Sequence, residues 1–128
     1  MPPFQTLTAA DGHDFAAYVA KPESTPHGAV VVIQEIFGVN AHIREVADRF
    51  AAAGYLAVAP ALFDRDRPGV ELAYDADGVA AGRDLKEAVD SKSEADVMAA
   101  ITFCRSAGRV AAIGFCWGGS LAWRLACR

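Results

Sequence analysis

The sequence predicts an α/β domain whose sheet is mostly parallel and flanked by helices. Three observations carry that expectation. The continuous apolar runs Ala29 to Ile33, Leu56 to Ala59 and Val110 to Phe115 read as strands covered on both faces. Between them lie segments with the i, i+3, i+4, i+7 spacing of amphipathic helices. Strands that alternate with helices build parallel sheets, because parallel neighbours need a long crossover.

In order, Phe4 to Leu7 and His13 to Ala20 read as a hairpin closed by Ala10-Asp11-Gly12, an Asp-Gly turn signal. Lys21-Pro22 ends it, and Glu23 to Gly28 is a polar loop. After the Ala29 strand comes the loop Gln34-Glu35-Ile36-Phe37-Gly38-Val39-Asn40, with Asn40 placed to cap a helix. Ala41 to Ala53 carries Ile43, Val46, Ala47 and Phe50 on one face, and Gly54 closes it. Pro60 stops the Leu56 strand, and Ala61 to Gly78 is expected as loop. Two helices follow. Val79 to Val89 is the first. Glu94 to Arg105 is the second, entered by a capping box of Ser93 and Asp96, with Val97, Ala100, Ile101 and Cys104 inward.

Length and composition narrow the function. With 128 residues, 53% of them apolar, the chain can form one domain with a real core. A net charge of −4 argues against nucleic acid or an anionic membrane as partner. No apolar run approaches a membrane span, and Met1-Pro2-Pro3-Phe4-Gln5 lacks the features of a signal peptide. Cys104, Cys116 and Cys127 show neither a C-x-x-C pair nor metal-ligand spacing, so no metal and no cofactor are expected, and a reducing cytoplasm suits them.

The segment with chemistry in it is Gly114-Phe115-Cys116-Trp117-Gly118, G-x-C-x-G, between an apolar strand and a helical run. It has the form of a nucleophile elbow with a thiol in place of a hydroxyl. A nucleophile at a strand-to-helix tip sits in a strained backbone, and the residues two before and two after must be small. The helix N-terminus beneath the sulfur favours a thiolate. The competing reading of Cys116 is a small buried hydrophobe, the usual fate of a free cysteine.

The loop 34–40 together with Gly114 to Gly119 resembles the dienelactone hydrolase family of the α/β-hydrolase superfamily, and the resemblance runs from about His13 onward. It implies a carboxymethylenebutenolidase-type reaction, the opening of a lactone ester by a cysteine nucleophile. Carried over, Cys116 is the nucleophile and Glu35 its auxiliary base. The backbone N–H groups of Trp117 and Ile36 are the oxyanion donors, and such donors stabilise the charge that develops on the carbonyl oxygen. Without the resemblance, Glu35 reads equally well as a solvated loop carboxylate or a partner of the following helix.

The resemblance also implies an acid and a histidine after the nucleophile, and residues 117–128 hold neither. The sequence is therefore read as a single domain over 1–128, a partial α/β-hydrolase fold truncated after the elbow helix and lacking the C-terminal strands. Hydrolysis is expected to stall at a thioester for want of a positioned acid/base. The Val110 strand would then form an open sheet edge that invites self-association. His13, His27 and His42 precede the elbow and read as surface residues, with His42 the one nearest Glu35 in sequence.

The implied substrate is a small ester or lactone bearing a carboxylate. Arg65, Arg67 and Arg83 are candidates to pair with it, with Arg83 in the matching segment. Phe37, Phe63, Tyr74 and Trp117 are candidates to line an apolar pocket, while Trp123 reads as core. Two other classes stay open: a non-catalytic interaction module with this half-fold, and a redox-sensitive thiol protein. A nucleotide-binding loop is excluded, because no G-x-G-x-x-G and no Gly-Lys-Ser/Thr is present at this turn.

Overall fold

The computed structural model describes residues 4–127. Met1 to Pro3, the start read above for a leader, and Arg128 lie outside the described residues. Five strands form one mixed sheet: β1 (Phe4–Thr8), β2 (Asp14–Ala20), β3 (Ala29–Ile33), β4 (Leu56–Pro60) and β5 (Val110–Gly114). Their spatial order is β1-β2-β4-β3-β5. The β1–β2 and β2–β4 pairs are antiparallel; β4–β3 and β3–β5 are parallel.

That order positions the site. The chain steps one way from β3 to β4 and then back past β3 to β5. Crossovers of one hand taken in opposite directions put their helices on opposite faces. Accordingly α1 (Ala41–Ala52) packs Ile43 and Ala47 against Val30, Val32, Ala57 and Ala59 on one face. On the other, α2 (Ala76–Cys104) and α3 (Trp117–Ala126) pack Leu85, Val97, Ala100 and Leu121 against Val31, Ile33 and Val58. Both β3 and β4 are buried along their whole length, as their unbroken apolar runs require. The order reverses beside β3, and the crevice beyond the carboxyl ends of such strands is where open α/β sheets bind ligands.

Asn40 caps α1 as its sequence predicts, its Oδ1 accepting from the Ile43 N–H at 3.1 Å. The two helices expected after residue 78 are one, α2, of 29 residues. Its cap is Asp75, whose Oδ1 accepts from the Gly78 N–H at 2.7 Å. The Ser93–Asp96 capping box does not form. Ser93 lies buried inside the helix and its hydroxyl donates back to the Val89 carbonyl at 2.9 Å. Asp96 faces inward to meet an arginine, so the polar spacing that mimics a helix start is that of a buried ion pair. The expected loop 61–78 also contains a short 3-10 turn, Leu62–Arg65, whose Leu62 and Phe63 enter the core.

Among the described residues β3 is the one strand beside β5, and Ala111 and Ala112 are exposed. Trp123, expected in the core, is 74% exposed. Leu121, two residues earlier, is the position of α3 that faces the sheet. No helix among the described residues is long and apolar enough to cross a membrane.

Candidate active site

Strand β5 ends at Gly114, and α3 begins at Trp117. Cys116 lies at the tip between them, exposed, with φ 57° and ψ −118°. Among the described residues it is the one non-glycine with positive φ. Such a conformation costs about 1–3 kcal/mol and persists only where the surroundings hold it. Here they do. A Cβ on Gly114 would collide with the Gly118 backbone, and a Cβ on Gly118 would collide with the carbonyls of Ile33 and Gln34 at the end of β3. The G-x-C-x-G spacing therefore serves two contacts, one across the turn and one onto the neighbouring strand.

The register brings Glu35 and Cys116 to one edge. Ile33 pairs with Gly114 in the parallel β3–β5 ladder, so Glu35 and Cys116 each follow two residues beyond the last pair. Glu35 is half-buried. Its Oε1 lies 3.5 Å from the Tyr74 hydroxyl, which also takes the Asn40 Nδ2 at 2.9 Å. The loop 34–40 is strapped from outside. The Leu72 N–H donates to the Phe37 carbonyl at 2.9 Å, Glu71 bridges Gly38, and Arg44 joins Glu71 at 3.1 Å. Beneath it, the Gln34 side chain accepts from the Leu62 N–H and donates to the Glu35 carbonyl, each at 2.9 Å.

Ile36, one of the two expected oxyanion donors, lies in the turn after Glu35. Its carbonyl meets α2 at Gly82, where a Cβ would overlap it. An isolated glycine inside a helical pattern is the signal that sequence reading passed over here. Trp117, which carries the other donor, opens α3, and the N–H groups of a first helical turn have no partner within the helix. Its side chain is not pocket lining as expected but core, stacked on buried Phe63 at a centroid distance of 5.5 Å. Its Nε1 donates to Asp90 at 2.7 Å, and Arg124 grips the same carboxylate at 3.0 and 3.1 Å. Arg124 above all, against the opposing effect of burial, holds the Asp90 carboxyl below the ordinary range. Asp90 thus ties α2 to the first and last turns of α3, a role no local spacing announces.

The remaining candidates divide. Phe37 is half-buried and its ring meets the Tyr74 ring edge-on at 4.6 Å. Arg83 is exposed on α2 next to Gly82, and Arg67 is exposed in its loop. Arg65 is neither a substrate cation nor a solvated surface residue. Its guanidinium is bonded to Asp96 at 2.8 and 3.0 Å and to Asp11 at 2.8 and 3.0 Å. These bonds hold Asp11 down at about 2 and keep Arg65 above its usual range. His42 and His27 are exposed, and the His42 ring contacts Phe115, the neighbour of Cys116, at 5.7 Å on the α1 face. His13 corrects the surface reading: it is half-buried, stacked on Phe15, and its Nε2 is enclosed.

A cavity of about 320 Å³ lies beyond the end of β4 on the other side of the 34–40 loop, lined by Gln34, Gly38, Val39 and Phe63 among others. The larger cleft, about 740 Å³, is bounded by Lys21, His27, Asp48 and Gly54 near the amino ends of β3 and β4, whereas Cys116 follows the carboxyl end of β5.

A doubly covered sheet in the order β1-β2-β4-β3-β5, with an exposed cysteine in a strained turn after β5, is an α/β-hydrolase fold. The sequence profile described as "Dienelactone hydrolase family" matches residues 15–128. The chain belongs to that family. It is 39% identical over 131 aligned positions to carboxymethylenebutenolidase 1 of Cupriavidus pinatubonensis, an alignment covering 95% of this chain and 55% of that protein. It is 37% identical over 129 positions to the carboxymethylenebutenolidase of Pseudomonas putida, covering 96% and 55%. Among solved structures, a dienelactone hydrolase-like promiscuous phosphotriesterase from metagenomic libraries matches with a TM-score of 0.71 at 27% identity, covering 96% of this chain and 53% of that one. The chain spans about half the length of the curated relatives it matches.

Proposed function

We propose that this chain attacks small esters or lactones through Cys116, in the manner of a dienelactone hydrolase. The observation that carries the reading is the exposed Cys116 held at positive φ between β5 and the first turn of α3. In the step proposed, the thiol proton passes to the Glu35 carboxylate and the sulfur bonds to the substrate carbonyl carbon. The oxygen of that carbonyl takes up the negative charge in reach of the Ile36 and Trp117 N–H groups. Collapse re-forms the C=O bond and breaks the C–O bond of the ester, leaving a thioester on Cys116 and an alcohol or enol that carries away the proton. Phe37 offers an apolar wall, and Arg83 is the cation proposed for a carboxylate on the substrate. Family membership and the names of the relatives support the ester or lactone class.

The open β5 edge is proposed to pair with a second copy, which light scattering across a concentration series reads directly; a monomer at high concentration refutes that pairing. Three unpaired cysteines favour a reducing compartment, the cytoplasm. For the activity itself, a dienelactone-type lactone is mixed with the protein and its ultraviolet absorbance followed. Loss of lactone in proportion to protein, absent in Cys116→Ala, is the expected result. Loss at the same rate with Cys116→Ala refutes the reading.

A further inference from the structure

Tyr74 sits in the segment outside the sheet, is 64% exposed, and has no role in the step above. Its hydroxyl nevertheless joins two functional parts of the loop. The direction of its hydrogen bonds follows from donor inventory. The Asn40 Oδ1 is occupied by the Ile43 N–H, so the Asn40 amide approaches Tyr74 as a donor from Nδ2. The tyrosine oxygen accepts that bond, which leaves its single O–H to donate. Oε1 of Glu35, at 3.5 Å, is the acceptor in reach. The ring has a second, independent contact, edge-on with Phe37 at 4.6 Å.

We propose that Tyr74, oriented by the helix-capping Asn40, is a positioning residue for Glu35. It occupies one carboxylate oxygen and leaves the other free to face the Cys116 thiol. The inference rests on reading Glu35 as the base. A half-buried glutamate has three side-chain torsions to fix, and one donor from a clamped ring restricts them. At 3.5 Å the bond is long, so its effect on orientation exceeds its effect on basicity.

The test is a double-mutant cycle on Cys116 reactivity, in a Cys127→Ser background. Cys104 stays silent because burial pushes its thiol up to about 11. Alkylation by iodoacetamide at neutral pH is timed for Tyr74→Phe, Glu35→Gln and the double variant, with thiolate absorbance recorded in parallel. Tyr74→Phe keeps the ring contact and removes the hydroxyl, both the donor to Glu35 and the acceptor of the Asn40 amide. The expected slowing is about threefold to fivefold, the size of one long, weak hydrogen bond, with a matching fall in thiolate absorbance. In the Glu35→Gln background the same change is expected to have no effect. If Tyr74→Phe slows both backgrounds equally, its role is structural and the proposal falls. If it reacts as fast as the parent or faster while Glu35→Gln is slow, the proposal falls and Glu35 stands as the base. If Glu35→Gln itself reacts at the parent rate, the reading of Glu35 fails first and this inference with it.

Discussion

Replacing Arg65 by methionine tests whether that guanidinium is structural. Asp96 is fully buried, and Arg65 supplies its charged partner at 2.8 and 3.0 Å. The second partner, Asp11, is exposed, and ion pairs in water contribute little. Removing one member of a buried pair typically costs about 3–5 kcal/mol. A ceiling applies, because the stranded carboxyl can take a proton instead. At about pH 7 that means crossing roughly three pH units at about 1.36 kcal/mol each, or about 4 kcal/mol. The expected loss is therefore about 3–4 kcal/mol near neutrality. Its pH dependence has a definite sign. Burial already pushes the Asp96 carboxyl up, against the pull of Arg65. Without Arg65 it titrates higher still, so the variant's deficit shrinks as pH falls, by up to about 1.4 kcal/mol per unit. Urea unfolding of both proteins near pH 7 and near pH 5 measures it. A loss below about 1 kcal/mol, or one that does not shrink in acid, contradicts the buried-pair account. Cys116 alkylation by the folded variant should match the parent, since Arg65 holds the core and not the substrate.

Three further changes separate the contacts around the site. Gly82→Ala gains helix propensity but drives a Cβ into the Ile36 carbonyl; it should destabilise by about 1–3 kcal/mol on thermal unfolding and slow Cys116 alkylation. Asp90→Ala strands the Trp117 Nε1 and takes from Arg124 its nearer carboxylate, leaving Glu94 at 3.6 Å, and for this half-exposed pair a loss of about 1–2 kcal/mol is expected in urea. Because Asp90 titrates below its ordinary value, its contribution is present above about pH 4 and lost as pH falls further, so an Asp90→Asn variant should lose less stability on acidification than the parent. Ser93→Ala should change stability by no more than about 0.5 kcal/mol, since a hydroxyl bonded back to its own helix is dispensable; a loss of about 1 kcal/mol or more would mark it as a cap after all.

The parts of this structure legible in sequence are those whose cause is local. The β-branched run of β3 reports burial on both faces. Asn40 announces the start of α1, and Gly114 and Gly118 announce the turn around Cys116. What could not be read depends on residues far apart in the chain. Asp96 resembles a cap residue until Arg65, thirty-one positions away, supplies its partner. With that ion pair unseen, α2 divides into two helices. Trp117 reads as pocket lining until Asp90 and Phe63 claim its ring, and Trp123 reads as core because apolar spacing on a short helix does not say which side meets the sheet. Tyr74 carries no motif at all; only the loop geometry brings it to Glu35.

The central claim is that Cys116 is a nucleophile because of where the fold holds it. The chain carries its own control, since Cys127 at the far end of the same helix is also exposed. Brief treatment with p-nitrophenyl acetate, followed by peptide mass spectrometry, measures the acetylation rate of each cysteine in one sample. The account predicts an acetyl group on Cys116 well before any on Cys127, and a much slower Cys116 in Glu35→Gln. Equal rates at the two thiols, or faster labelling of Cys127, would contradict it.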